Sequence, residues 1–432
     1  MNILIIGNGA REHAFAGEII KARSNRLPNS IPDVGIFSLN ANYGLSAISK
    51  STNVDISDFI SIKEIILNNS IDMVLVGPEI PLINGIKDFI NNDPELKFVT
   101  VIGPSKRGSM LEGSKEFAKT FMNKYGIPTA SYKSFDSSTF SEAVDFIKNN
   151  NPPFVLKADG PAAGKGVLIV DNEEEALKNL EDMLVNSKFG KSSEKVVIEE
   201  FLDGIEMSCF ILFDGLNYKI LPYAKDYKRI GEGDKGLNTG GMGAVSPVDF
   251  LDDKLKNKIK KEIVEPTING LINEKINYVG FIFIGLINVG GQPKVIEYNV
   301  RMGDPETQVV LPRIKTDFVD LLIACSNQNL DQINLEIDPD YFVNVVLASK
   351  GYPEKYQKGY EITFEDDIPN SITYHAGTTF GPRGNPLTNG GRVLSVVSRG
   401  KTMDEALKKS YGSIDKINFE GKTFRKDIGF DL

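Results

Sequence analysis

The chain has 432 residues, 41% hydrophobic and 25% charged, ordinary proportions for a folded protein and enough length for roughly two to four domains. Two cysteines and two histidines, none at ligand spacing, exclude a disulfide scaffold and a Cys/His zinc centre. A net charge of −9 argues against a broad grip on nucleic acid but leaves room for a local basic pocket that takes a phosphorylated small molecule.

Residues 2–6 form a short apolar strand that stops at Gly7, and a helical pattern runs over 10–21. A strand at 34–39, a helix at 57–67, a strand at 73–76 ending on Gly77-Pro78-Glu79 and a strand at 98–102 follow, with Pro81 suited to a helical first turn. Short apolar strands alternating with helices predict a parallel, Rossmann-like sheet over 1–103, with ligands beyond the carboxyl ends of its strands. A second segment, 104–330, opens with a helix at 114–125. Strands are expected at 154–157, 167–170, 196–200, 207–213 and 219–224, then a long polar, glycine-rich loop over 225–243 and a helix over 251–275. Residues 281–287 and 293–299 read as an antiparallel pair joined at Gly290-Gly291. The remainder, 331–432, predicts strands near 343–347, 372–375 and 392–397 and a helix at 403–411. No repeat and no low-complexity linker separates these parts, so they are expected to pack together. The longest apolar run, 279–289, is too short and too interrupted by glycine to span a bilayer, and the start, MNILIIGNG, lacks the basic region of a signal peptide. The expectation is a cytoplasmic chain with reduced thiols and no membrane partner.

Four segments carry chemistry. Gly7-Asn8-Gly9-Ala10-Arg11-Glu12 follows a strand and opens a helix, the setting for a phosphate on backbone N–H groups. A ligand-free tight turn has the same sequence appearance. A dinucleotide site is disfavoured, because Glu12 stands at the third glycine position and the second strand ends at Asn40 rather than an acid. Lys157 to Gly166 resembles a P-loop but is one residue short, has Gly166 in place of Ser/Thr, and leads into a strand. Its Gly160, Gly164, Lys165 and Gly166 could still close over a triphosphate, unless the segment is only a solvated hairpin. Glu199-Glu200-Phe201-Leu202 ends a buried strand whose backbone could meet an adenine edge, with Glu206 for ribose hydroxyls; a plain acidic turn reads equally well. Glu297, Asn299 and Arg301 fall two apart on a strand and share a face. Two hard oxygen ligands suit Mg²⁺, and the guanidinium suits a phosphate or carboxylate. The competing account is a polar strand face in water. His13 follows the first glycine turn, His375 lies in an apolar strand, and no hydrolase triad assembles around them.

Taken together, these residues resemble the phosphoribosylamine–glycine ligase family of the ATP-grasp superfamily. The resemblance is carried by residues 7–13 (GNGAREH), 77–79 (GPE), 111–115 (LEGSK), 162–166 (AAGKG), 238–244 (NTGGMGA), 301–308 (RMGDPETQ), 375–378 (HAGT) and 388–393 (TNGGRV), in order along the whole chain. It implies a multidomain α/β and α+β protein: an N-terminal substrate-binding domain over 1–103, a central ATP-grasp domain from 104–125 and 196–330, a lid lobe over 126–195, and a small β-rich α+β domain over 331–432. It implies a monomeric ligase of purine biosynthesis with ATP, glycine and 5-phosphoribosylamine as small-molecule substrates and Mg²⁺, or Mn²⁺ in its place, as metal. Lys115 and Lys157 would hold ATP phosphates under the loop 160–166, Glu199 to Glu206 would line adenine and ribose, and Glu297 and Asn299 would bind the metal. Gly7, Asn8, Gly9, Arg11 and Glu79 would face the phosphoribosylamine, and Asp226, Lys228 and Arg301 the glycine and acyl-phosphate end. Pro161 stands where the family pattern suggests Leu, which stiffens the loop without removing a chemical group. The rival readings are another ATP-grasp ligase, a non-catalytic nucleotide-binding protein, and a Rossmann-type oxidoreductase.

Overall fold

The computed structural model describes residues 1–25, 34–162, 166–365 and 370–432. Its first five strands are β1 (Asn2–Ile6), β2 (Gly35–Leu39), β3 (Lys50–Thr52), β4 (Met73–Val76) and β5 (Thr100–Pro104). They pair in parallel in the order β5-β4-β1-β2-β3. Ile3, Leu4, Ile5 and Ile6 are fully buried, as a strand covered on both faces requires. The expected strand at 98–102 starts later, at Thr100, and Phe98 is 84% exposed. β3 has no apolar residue and was not legible in the sequence pattern.

A separate sheet follows, built from β6 (Tyr132–Asp136), β7 (Phe154–Ala158), β8 (Val167–Val170) and β9 (Lys195–Glu200) in the order β6-β9-β7-β8. Helices Phe140–Lys148 and Glu173–Leu184 pack on it through Ala143, Ile147, Leu180 and Met183, around Phe135, Leu156 and Ile198. Since β9 pairs with both β6 and β7, this lobe runs to Glu200, five residues past the expected limit of 195.

The central strands are β10 (Ile205–Phe213), β11 (Tyr218–Ile220), β12 (Lys225–Asp226), β13 (Arg229–Gly231), β14 (Lys235–Asn238), β15 (Gly243–Ser246), β16 (Tyr278–Val289) and β17 (Gln292–Asn299). β16 pairs with β10 on one side and β17 on the other. The β16–β17 turn uses Gly290 and Gly291 at φ 57° and 81°, where a side chain would be strained. At its start β16 pairs with β5, Tyr278 opposite Pro104 and Val279 opposite Gly103, which joins the parallel and antiparallel parts into one nine-stranded sheet.

The segment expected as a loop over 225–243 is instead β12, the β13–β14 hairpin and the start of β15. Its glycines hid short strands that only their partners stabilise. β12 and β15 belong to a six-stranded sheet that continues through β18 (Tyr341–Ser349), strand Arg392–Gly400 and strand Ser371–His375. The last domain therefore takes two strands from the central segment and does not begin cleanly at 331. The helix expected over 251–275 is interrupted by a π-helical stretch at Ile259–Val264. Phe15 stacks on Phe281 and on Phe318, each at 6.1 Å between ring centroids, so the first helix packs directly on the central segment.

Candidate active site

β17 delivers the array that its alternation promised. The Asn299 amide donates to Glu297 Oε1 at 3.4 Å, and the Arg301 guanidinium donates to Asn299 Oδ1 at 2.9 Å, so all three side chains meet on one face. Burial works against ionisation of Glu297, yet Lys228, Lys157 and Lys115 outweigh it and hold the carboxyl below its usual range. Arg301 is further held by Glu112 Oε1 at 2.8 Å and the Met302 carbonyl at 3.2 Å, with Glu79 at 3.8 Å. Glu112 also accepts the Val300 N–H at 2.8 Å, which fixes the carboxylate against the strand carrying Arg301. Arg301 Nε is buried without a hydrogen-bond partner among the described residues. A buried unpaired donor is costly unless a ligand satisfies it.

The lysines converge from other elements. β7 carries Lys157, 5% exposed, with Nζ 3.0 Å from Glu199 Oε2 on β9. Lys115, at the start of helix Lys115–Lys124, donates to the carbonyls of Asp159 at 3.3 Å and Gly160 at 3.4 Å. Burial lowers its pKa, against the field of Glu297. Lys119, one helical turn on, also reaches Glu199 Oε2 at 3.0 Å, and burial pulls its pKa down to about 8. Glu199 thus sits under two lysines rather than at the surface, with Oε1 buried and unpartnered among the described residues. Glu200 accepts the Ser131 N–H at 3.0 Å, Phe201 is exposed and Leu202 half-buried, so the strand end opens as a rim beside the lobe. Gly164 and Lys165 lie outside the described residues. The Gly166 carbonyl accepts the Ala158 N–H at 2.8 Å, closing the base of that loop.

Asp226 and Lys228 enter from β12 and the residue run after it. Lys228 Nζ is 2.7 Å from Glu206 Oε2, so Glu206 is an ion-pair partner as well as a ribose candidate. Burial opposes the charge on Lys228, but Glu206, Asp226 and Glu297 raise its pKa well above the ordinary value. Asp226 is raised by burial, against the pull of Lys228.

At the N-terminal end a cavity of about 300 Å³ is lined by Gly7, Asn8, Gly9, Arg11, Glu12, Asn40, Asp55, Pro78 and Asp304, among others. The expected phosphate seat is altered here. Glu12 Oε2 already accepts the Gly9 N–H at 2.6 Å, and its Oε1 accepts from Arg11 Nε at 2.7 Å. The helix terminus is thus filled by an internal carboxylate. Arg11 also donates to the Met302 carbonyl at 3.0 Å, linking this turn to the Arg301 segment. Burial pushes the Glu79 carboxyl up, but Arg301, a backbone N–H and Arg11 together hold it below its usual range. His13 and His375 are structural: His13 Nδ1 accepts the His375 N–H at 2.9 Å, and burial depresses both rings, to about 3 and about 4.

Sequence reasoning missed Glu112, Lys119, Arg392 and Glu306. Arg392 donates to the carbonyls of Gly240 at 2.6 Å and Asp304 at 2.7 Å. Glu306 lies in the same motif as Arg301, and burial followed by the charge of Asp226 raises its carboxyl to about 8. For Glu112 and Glu306 the signal lies in motifs 111–115 and 301–308, where the sequence reading gives a role only to Lys115 and Arg301.

A lobe with its own antiparallel sheet set against a core sheet, with lysines facing a carboxylate and an asparagine across the gap, defines the ATP-grasp class. Comparison with known proteins narrows it. The chain matches the family models for the phosphoribosylglycinamide synthetase N domain (residues 1–112), ATP-grasp (A) domain (113–307) and C domain (342–431). It is 41% identical to phosphoribosylamine–glycine ligase of Caldanaerobacter subterraneus subsp. tengcongensis, covering 99% of both chains. It is also 41% identical to the bifunctional purine biosynthetic protein PUR2,5 of Pichia angusta, of which it spans only 53%. Among solved structures, phosphoribosylamine–glycine ligase from Thermotoga maritima superposes with a TM-score of 0.84 at 34% identity, covering 99% of this chain and all of that one. The biotin carboxylase domain of Hydrogenobacter thermophilus 2-oxoglutarate carboxylase shares the fold, with a TM-score of 0.72 at 16% identity over 98% of this chain and 91% of that one. The chain belongs to the phosphoribosylglycinamide synthetase family.

Proposed function

We propose that this chain joins glycine to 5-phosphoribosylamine with ATP, giving glycinamide ribonucleotide, ADP and phosphate. The observation that carries the reading is the buried array of Glu297, Asn299 and Arg301 facing Lys115, Lys157 and Lys228, connected through Arg11 and Met302 to the cavity at the Gly7 turn. The glycine carboxylate attacks the γ-phosphorus and ADP leaves, forming glycyl phosphate. The amine of phosphoribosylamine then attacks the acyl carbon, phosphate leaves, and the amine's proton goes to solvent or phosphate. Such chemistry needs positioning and charge neutralisation rather than a protein nucleophile.

Lys115 and Lys157 hold phosphate oxygens, with the loop 160–166, including Gly164, Lys165 and Gly166, over them. The strand end from Glu199 to Leu202 takes the adenine edge, and Glu206 the ribose. Arg301, its Nε without a hydrogen bond among the described residues and 3.8 Å from Glu79, holds the glycine carboxylate and then the acyl phosphate, helped by Asp226 and Lys228. Glu297 and Asn299 fit a divalent cation, Mg²⁺ with Mn²⁺ as the alternative, which when bound neutralises phosphate charge. The fit rests on a carboxylate kept ionised beside an amide oxygen that has a second lone pair beyond its bond to Arg301. Gly7, Asn8, Gly9, Arg11 and Glu79 face phosphoribosylamine. With Glu12 on the Gly9 amide, this turn meets the sugar and amine rather than the 5-phosphate.

The chain is taken to act as a monomer in the cytoplasm, and no helix among the described residues is long and apolar enough to cross a membrane. Light scattering reads the first point as a single-chain mass. Phosphate release from MgATP with glycine and freshly made phosphoribosylamine, each omitted in turn, tests the activity. Turnover should need both, and full-rate ADP production without glycine overturns the assignment.

A further inference from the structure

The residues from 225 to 229 alternate between two duties. Asp226 and Lys228 face the site, where Lys228 pairs with Glu206 at 2.7 Å. Lys225 and Tyr227 point the other way and are both buried. There they meet one carboxylate from the far end of the chain: Lys225 Nζ is 3.1 Å from Asp431 Oδ2, and the Tyr227 hydroxyl donates to Asp431 Oδ1 at 3.0 Å. The next stretch is held by the same tail. Arg425, 1% exposed, makes a two-pronged pair with Asp427 at 2.8 Å for each prong, and it donates to Asp234 Oδ1 at 2.6 Å and the Arg229 carbonyl at 3.2 Å. Its guanidinium lies 5.2 Å over the Tyr227 ring and 5.7 Å over Phe430. Asp427 accepts the Gly233 N–H at the hairpin tip at 2.7 Å.

β12 itself has only two ladder positions, Lys225 opposite Val245 and Asp226 opposite Ala244. Backbone bonds from Tyr227 and Lys228 to residues 239–243 hold this segment along one edge, so a small roll about that edge is left for its side chains to set. In a strand, side chains on opposite faces turn together, so holding Lys225 and Tyr227 fixes where Asp226 and Lys228 point. Asp431 reaches both odd residues at once, which makes it the handle for that roll. We propose that the C-terminal segment 425–431 is a positioning element of the ligase reaction, with Asp431 setting the aim of Asp226 and Lys228 through Lys225 and Tyr227. This rests on the proposed roles of Asp226 and Lys228.

The test uses the full-length chain and four variants: Asp431→Ala, Asp431→Glu, Lys228→Met, and Asp431→Ala combined with Lys228→Met. Steady-state rates are normalised to active sites counted by tight nucleotide binding. A misaim of about half an ångström, half the displacement that costs about 10²-fold, predicts a kcat about tenfold lower for Asp431→Ala, with the KM for ATP changed less than twofold. Asp431→Glu, which keeps the carboxylate, should recover at least half of the rate. Combined with Lys228→Met, Asp431→Ala should cost clearly less than it does alone, since part of its effect runs through that lysine and only the part through Asp226 remains. Unchanged kcat per active site in Asp431→Ala, or a loss that multiplies fully with that of Lys228→Met, overturns the proposal. A wild-type rate for Lys228→Met alone overturns the role of Lys228 itself, an outcome readable independently of the tail.

Discussion

Replacing Arg301 with methionine should make the stability of the protein fall more steeply with rising pH than that of the parent. In the parent, Arg301 donates to Glu112 at 2.8 Å, with side-chain exposures of 17% and 10%. Removing the cation leaves Glu112 buried beside the Val300 N–H, with Glu79 and Glu297 as further negative neighbours. Breaking a buried ion pair from one side costs about 3–5 kcal/mol when the remaining charge persists. Burial already raises the Glu112 carboxyl, and Arg301 is the chief influence lowering it, so its loss raises the folded-state pKa further. A carboxyl raised on folding stabilises fully below its unfolded pKa, and that stability is lost as pH rises through the folded value. The variant should therefore melt close to the parent near pH 5 and fall progressively behind toward pH 8. A deficit of about 3 kcal/mol corresponds to roughly 6–12 °C for a cooperative unit of 150–250 residues. Differential scanning fluorimetry of both proteins across that range measures the gap. Adding Glu112→Gln should remove the pH dependence while activity stays lost. A melting deficit that is flat from pH 5 to 8 would refute the reasoning, because the buried carboxylate would then not be what Arg301 neutralises.

Glu297→Gln and Asn299→Ala should each lower kcat by roughly 10²–10³ at limiting Mg²⁺; rates within about twofold of the parent would place the metal on other residues. Lys119→Met removes one of the two cations on Glu199 Oε2 and should raise the KM for ATP several-fold with a smaller change in kcat, read from initial rates. His13 and His375 are neutral in the fold and held well below the unfolded value, so their stabilisation is present above about pH 6.5 and is lost as pH falls toward 4 and 3. His13→Asn should therefore reduce proton uptake on unfolding at pH 5 by about one, measured by potentiometric titration.

Much of this molecule was readable from one dimension. The parallel strands announced themselves because a strand buried on both faces is continuously apolar, as at residues 3–6 and 73–76. The Glu297–Asn299–Arg301 face was readable because strand alternation is local. What stayed hidden depends on partners distant in sequence. β15 is a strand because β18 lies beside it a hundred residues later, and β12 because β15 is then there to pair with. Glu112 meets Arg301 across 189 positions, and Lys119 meets Glu199 from another element, so neither pairing had a local signature. In the sequence alone Glu12 reads as a defect in a glycine fingerprint. Three residues into its helix, it is the acid that satisfies the Gly9 amide.

The pairing of β5 with β16 has a consequence for how the protein can be divided. The matches to the family's N domain and ATP-grasp domain meet at residues 112 and 113, which invites a cut there. Such a cut would leave β5 on one fragment and β16 on the other, each with a row of unpaired N–H and C=O groups where Tyr278 met Pro104 and Val279 met Gly103. Open edges of this kind recruit other chains. The two pieces would be sticky halves that reassociate with each other or aggregate, and a split reporter built at this junction would recover its signal by mending a sheet rather than by docking two finished surfaces.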